Sequence, residues 1–168
     1  MGYDMYIENT PEGPPSGDDA GYFCLNIWRM GRYLDHMSHL GMLVTGYSRP
    51  SWPEKPDSVE WDDVSAVRYP DDHDGQQPVK PEAVTFAKTI ETHLAWHPDE
   101  LSGIAVHKFG SNDGWLVTPE EITGALESYR THSGDKVKAM VSTEGLDRWL
   151  QWIGFLESAH RHGGFRVH

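Results

Sequence analysis

Two histidines of this sequence have a spacing that could support metal binding. The chain contains ten, and His93 and His97 stand four residues apart in a segment with helical periodicity. Two imidazoles at that spacing lie on one side of a helix and could bind one zinc ion. A zinc-protease pattern requires Glu after His93, where this sequence has Leu94, and no third ligand stands nearby. We therefore expect no bound metal and a solvated or interface histidine pair.

The loop from Gly110 to Trp115 is the best candidate for a ligand site. Three short polar side chains precede a flat indole ring, and a histidine and a lysine lie on the approaching strand. An aromatic surface with a few convergent polar groups is typical of small-ligand pockets. The alternative is a plain turn in which Asn and Asp bond to their own backbone. The candidate ligand-binding residues are His107, Lys108, Ser111, Asn112, Asp113 and Trp115.

Two other groups of residues have reactive side chains but ordinary explanations. Residues 71–75 read Asp-Asp-His-Asp-Gly and lack the spacing of an EF-hand, so we expect a solvated acidic turn. Cys24 is the single cysteine and stands in an apolar run, which favours a small buried thiol over a nucleophile. The sequence contains no P-loop, no dinucleotide-binding glycine pattern and no nucleophile elbow, so we expect no cofactor.

The strongest structural pattern lies at the end of the chain. Apolar residues recur at spacings of three and four across residues 146–159, which predicts an amphipathic helix with Trp149 and Ile153 in the core. Gly163 and Gly164 then favour a left-handed backbone that ends this helix. We expect the other elements of the fold to pack around this helix.

A second local signal is the run from Thr118 to Glu121. Thr as N-cap, Pro at the first helical position and Glu at the third complete a capping box. The whole pattern predicts an α+β fold in which about four helices pack on a small, mainly antiparallel sheet. The predicted helices are residues 27–39, 82–95, 119–130 and 143–161, and the predicted strands are residues 1–7, 22–25, 64–69 and 165–167 with a hairpin formed by residues 101–109 and 115–117.

Length and composition limit the classes of protein that fit. At 168 residues we expect a single domain, with a long Pro- and Asp-rich connection at about residues 44–80. The net charge of −12 disfavours direct binding to nucleic acid or to an anionic membrane. One cysteine and the lack of a signal peptide or apolar span favour a cytoplasmic protein. Oligomeric state does not follow from these features.

Several segments together resemble a family of small, uncharacterised cytoplasmic proteins from actinobacteria and their phages. The matching stretches are the opening residues 1–6, the segment YFCLNIWRMGRYLDHMSHLGM at residues 22–42, the loop NDGWLVTPEEI at residues 112–122, and the sequence HGGF near the end. The resemblance implies a viral or bacterial origin and carries no chemistry. Related patterns carry Arg at the position of Cys24.

Three functional hypotheses fit these observations. The first is a non-enzymatic binding protein, rich in Trp, that sequesters a small aromatic or nucleotide-like ligand or occupies a host protein. Such a ligand would be neutral or weakly anionic if it bound beside the capped helix start. The second is a metal-dependent hydrolase that assembles dispersed His and Asp residues. The third is an acidic DNA mimic that uses residues 54–74. We expect the binding role rather than catalysis.

Overall fold

The computed structural model describes residues 2–10, 21–70, 80–99 and 102–168. The acidic run at residues 71–75 lies outside the described residues. Contacts between Cα atoms divide the chain into two compact units. The larger unit comprises residues 1–48 and 97–168, and the smaller unit comprises Arg49–Trp96. In chain order the elements are β1 (Gly2–Ile7), β2 (Tyr22–Asn26), α1 (Ile27–His39), β3 (Leu43–Val44), α2 (Trp61–Arg68), α3 (Pro81–Leu94), β4 (Ile104–Ala105), a 3-10 turn (Val106–Phe109), β5 (Trp115–Val117), α4 (Pro119–Arg130), α5 (Gly134–Val141), α6 (Thr143–Arg161) and β6 (Phe165–Val167).

The larger unit is built on a four-stranded antiparallel sheet in the order β2-β1-β6-β5. Alternation along the strands places one face of this sheet in the core. Met5 and Ile7 are buried, for example, whereas Tyr6 between them is 49% exposed. β3 and β4 form a separate parallel pair. The α+β class and the mainly antiparallel sheet are therefore as predicted.

α6 carries the apolar stripe that the sequence predicts. Trp149 is fully buried and Ile153 nearly so, which confirms their place in the core. The chain then reverses through Gly163 and Gly164, both with positive φ. A Cβ on Gly164 would lie 2.2 Å from the carbonyl oxygen of Val117, so this position requires glycine. The reversal returns the chain to the sheet as β6.

The smaller unit contains α2 and α3. α2 replaces the strand predicted at residues 64–69, and the prediction of a strand there was wrong. Its start has a capping box in which Asp63 accepts from the backbone N–H of Glu60, and acidic residues in the first turn complement the helix dipole. The described part of the connection at residues 44–80 is thus partly helical. α5, whose N-cap is Ser133, is a second helix beyond the four predicted.

Two further predictions were wrong. Residues 104–109 and 115–117 do not form a hairpin, because β4 pairs with β3 and β5 pairs with β6. Cys24 is exposed rather than buried, because it alternates along β2 with the buried Phe23 and Leu25. Beside it, the hydroxyl of Tyr22 donates to Asp4 at 2.5 Å, and this hydrogen bond raises the pKa of Tyr22.

Among the helices of the described residues, none combines the length and hydropathy that crossing a lipid bilayer requires.

Candidate functional site

The predicted ligand loop forms a network of hydrogen bonds within the protein. The indole N–H of Trp115 donates to the hydroxyl of Ser111 at 3.0 Å, and that hydroxyl donates to Asp113 at 2.5 Å. The side-chain amide of Asn112 donates to the carbonyl oxygen of Gly2 at 3.1 Å. These contacts fix the loop between the 3-10 turn and β5.

His107 lies on the 3-10 turn and contacts two aromatic side chains. Its Nδ1 is 2.7 Å from the hydroxyl of Tyr47, and the same hydroxyl accepts the backbone N–H of His107 at 3.0 Å. The imidazole also meets the ring of Trp115 edge-on, with 4.5 Å between the ring centroids. Tyr47 therefore holds the turn through two hydrogen bonds to one residue.

Lys108 and Glu121 form an ion pair in which neither side chain is exposed to solvent. The ammonium group donates to Glu121 at 2.6 Å and to the carbonyl oxygen of Leu116 at 2.5 Å. The carboxylate also accepts the backbone N–H groups of Thr118 at 2.9 Å and Ala105 at 3.1 Å. Burial lowers the pKa of Lys108, and the nearby Glu121 acts in the opposite direction. The capping box predicted at α4 is thus confirmed and extended by a buried cation.

The structure limits which groups of this loop a ligand could contact. Trp115 and Lys108 are fully buried, so the expectation of an exposed aromatic surface with an accessible cation is corrected. The physical reason is that Trp115 faces the core from β5 while Lys108 neutralises Glu121. Asn112 and Asp113 are exposed, but each bonds to another part of the protein. Ligand binding by these residues stays a prediction.

The histidine pair is separated by the end of a helix. α3 ends at Leu94, so His97 lies beyond it, and Nδ1 of His97 is 3.0 Å from the carbonyl oxygen of Pro98. His93 is buried, with its ring edge-on to Trp52 at 4.8 Å between centroids. Burial lowers the pKa of His93, and Arg49 lowers it further. In the described part of the chain, no three His, Cys, Asp or Glu side chains are grouped to hold a metal ion.

A different candidate site lies in the smaller unit, where the start of α3 borders an open pocket of about 550 Å³. Pro81 is the first residue of α3. Glu82, Thr85 and Thr89 follow at spacings of three and four, so one helical face supplies this wall. The described residues of the lining are Glu54, Pro56, Pro81, Glu82, Thr85, Phe86 and Thr89.

The two carboxylates of this pocket differ from their neighbours. In the described residues of the smaller unit, Lys80 bonds to Asp63 at 2.7 Å, and this contact raises the pKa of Lys80 and lowers the pKa of Asp63. A second carboxylate in the unit also has a basic partner, since the guanidinium of Arg68 lies 2.8 Å from Glu91. Neither of the two pocket carboxylates forms an ion pair with another described residue.

An exposed aromatic ring lies next to one of the lining residues. Trp61 is 53% exposed, and its ring centroid is 6.1 Å from that of Phe86 in the lining. Sequence reasoning missed this site. The helical spacing of Glu82, Thr85 and Thr89 was a signal for one wall, but Glu54 comes some thirty residues earlier and no local spacing connects it to α3.

Comparison with protein-family models, with curated proteins and with solved structures returned no match to this chain.

Proposed function

We propose that this chain is a cytoplasmic, non-enzymatic binding protein that holds a small organic ligand in the pocket of the smaller unit. The observation that carries the proposal is an open pocket of about 550 Å³ lined by two carboxylates that form no ion pair with another described residue. Binding sites for small molecules typically occupy about 300–1,000 Å³. The single cysteine fits a reducing compartment.

The chemistry of the lining supports binding rather than catalysis. The hydroxyls of Thr85 and Thr89 donate to the carbonyl oxygens four residues earlier, at 3.1 and 3.2 Å. An activated nucleophile would instead donate its proton to a general base. Among the described residues, the other polar side chains of the lining are the carboxylates of Glu54 and Glu82. The lining thus offers fixed recognition groups and no nucleophile paired with a base.

A pocket-filling variant tests the proposal. Thr85→Trp introduces a large side chain into the pocket wall, whereas Thr92→Trp places the same side chain further along α3, at a position that is not among the lining residues. Thr92 is a matched control because its hydroxyl also donates four residues back, to Lys88. Both threonines are exposed, so both variants should fold.

The measurement is ligand-observed NMR with a panel of small aromatic, nucleoside and amine compounds. We expect at least one compound to bind the wild type and the Thr92→Trp variant, and to lose binding in Thr85→Trp. Equal binding by all three proteins would place the ligand elsewhere, and a panel in which nothing binds would contradict the proposed function.

A further inference from the structure

The polar groups that line the pocket are acceptors. Glu54 and Glu82 contribute carboxylates, and none of the described side chains in the lining carries an N–H group. The two threonine hydroxyls have already donated their protons to the backbone of α3, so their oxygens can still accept. A ligand that satisfies such a lining must supply the hydrogen-bond donors itself.

The dipole of α3 acts against this pattern, because the start of a helix attracts anions rather than cations. A helix N-terminus carries the equivalent of about +0.5 elementary charge and favours anions. The lining contains two carboxylates, those of Glu54 and Glu82, which together outweigh this partial charge. Two of the first backbone N–H groups, those of Ala83 and Val84, also bond to the carbonyl oxygen of Lys80. The net field in the pocket is therefore negative.

Two lysines that lie near the pocket carboxylates in the sequence bond to other groups. The ammonium group of Lys80 bonds to Asp63, which raises the pKa of Lys80, and Glu82 adds only a smaller contribution in the same direction. The ammonium group of Lys55, the neighbour of Glu54 in the chain, donates to the backbone carbonyls of Pro56 and Val59. Neither lysine forms an ion pair with Glu54 or Glu82, so both carboxylates can bind a cationic ligand.

The apolar walls indicate the rest of the ligand. Pro56, Pro81 and Phe86 line the pocket, and the exposed ring of Trp61 stands beside Phe86. Methylene groups pack on such surfaces, and a cation within about 6 Å of an indole face gains a further attraction. An aliphatic chain that ends in a charged donor matches both parts of the lining.

From these observations we infer that the pocket binds an aliphatic organic cation, an alkylammonium or alkylguanidinium, through Glu54 and Glu82. This inference rests on the proposed function and names the chemical class of its ligand. It differs from the neutral or weakly anionic aromatic ligand that the sequence suggested, because that expectation was based on a site at the start of α4.

Three probes of equal length test the inference. They are 1,5-diaminopentane, which is a dication at neutral pH, pentane-1,5-diol, which is neutral, and glutarate, which is a dianion. Binding is measured by calorimetry and located by amide chemical-shift changes at Thr85 and Thr89. We expect the diamine to bind at these residues, the diol to bind about tenfold more weakly, and glutarate not to bind. Higher salt should weaken binding of the diamine.

Charge-neutral variants complete the test. Glu82→Gln and Glu54→Gln should each weaken binding of the diamine about threefold to fivefold, the range of an exposed ion pair. The double variant should weaken it about tenfold or more. Glu127→Gln is the control, because it removes the same charge from an exposed position on α4. It should change the affinity by less than about twofold.

The outcomes separate this inference from the proposed function. If the diol binds at Thr85 and Thr89 as tightly as the diamine, or if both Gln variants bind the diamine like the wild type, the cation inference is overturned while a binding pocket remains. If none of the three probes binds, the cation inference is overturned, and the wider compound panel then decides the proposed function.

Discussion

Two helices of this protein begin alike and use their first-turn glutamates differently. α3 and α4 both have Pro at the first helical position and Glu directly after it. In α4 the next residue, Glu121, returns to the backbone of the N-cap Thr118 and is fully buried against Lys108. In α3, Glu82 lines an open pocket. Similar local sequences thus produce a structural carboxylate in one helix and an available one in the other.

The difference lies at the N-cap and at the third helical position, where α4 has Glu121 and α3 has Ala83. The hydroxyl of Thr118 accepts the backbone N–H of Glu121, which completes a reciprocal pair of hydrogen bonds. Lys80, the N-cap of α3, has no side-chain acceptor and makes no capping hydrogen bond. A buried charge also needs a partner of opposite sign, and Lys108 supplies one for Glu121. A carboxylate without these contacts is energetically free to bind a ligand.

The largest expected effect comes from breaking the buried pair. Lys108→Met leaves the charge of Glu121 buried without its cation, and should lower the free energy of unfolding by about 3–5 kcal/mol. Equilibrium unfolding in urea measures this loss. Lys136→Met, at an exposed position, is the control and should change stability by less than about 0.5 kcal/mol. A loss below about 1 kcal/mol in Lys108→Met would mean that solvent reaches Glu121 easily.

A smaller effect should come from the N-caps. Thr118→Ala removes the acceptor for the backbone N–H of Glu121 and should cost about 1 kcal/mol, within a range of 0.5–2. Lys80→Ser introduces a good N-cap at α3, but it also removes the exposed ion pair with Asp63. The gain of about 1 kcal/mol should exceed the loss of at most about 1 kcal/mol, so the net change should be zero or stabilising. Thermal unfolding of both variants measures the contrast, and a strongly destabilised Lys80→Ser would contradict it.

Local signals in the sequence predicted much of the larger unit. Capping and periodicity are properties of neighbouring residues, so the bounds predicted for α1, α4 and α6 match the structure. Non-local pairing was the part that the sequence could not predict. The predicted hairpin failed because β4 pairs with β3, about sixty residues earlier, and β5 pairs with β6, some fifty residues later.

The prediction of burial failed where it relied on the apolar composition of a segment and ignored the alternation of side chains along a strand. The apolar run around Cys24 suggested a buried thiol, but every second residue of an edge strand faces away from the core. Trp115 shows the reverse error, since a ring expected at the surface is fully buried. The pocket in the smaller unit could not be predicted because Glu54 and Glu82 meet only through tertiary structure.

The buried side chain of His93 should make the stability of the protein depend on pH. Burial lowers the pKa of His93, so the folded protein binds a proton less readily than the unfolded chain. The free energy of unfolding should therefore fall as the pH drops below the ordinary histidine value of about 6.5, and level off below the folded pKa. Urea unfolding at pH 7.5 and pH 6 measures the slope.

His93→Gln identifies the source of that slope. The variant should lose the part of the pH dependence that His93 contributes, whereas the part from His36, whose pKa burial also lowers, should remain. If His93→Gln makes stability fall more steeply between pH 7.5 and pH 6 than it does in the wild type, His93 gains a partner on protonation, and the predicted sign is wrong.

The smallest effect should come from the glutamate that we assign to the ligand. Glu82→Gln gives up an attraction to the helix dipole of about 0.3–1 kcal/mol, but it also relieves repulsion from nearby acidic side chains. The free energy of unfolding should therefore change by no more than about 0.5 kcal/mol. Glu121→Gln, measured in the same buffer, should lose several times as much, because a neutral amide leaves Lys108 buried without an anion. A loss above about 1.5 kcal/mol in Glu82→Gln would show that this carboxylate makes stabilising contacts within the fold. Those contacts would then compete with a ligand, which would argue against Glu82 as a ligand-binding residue.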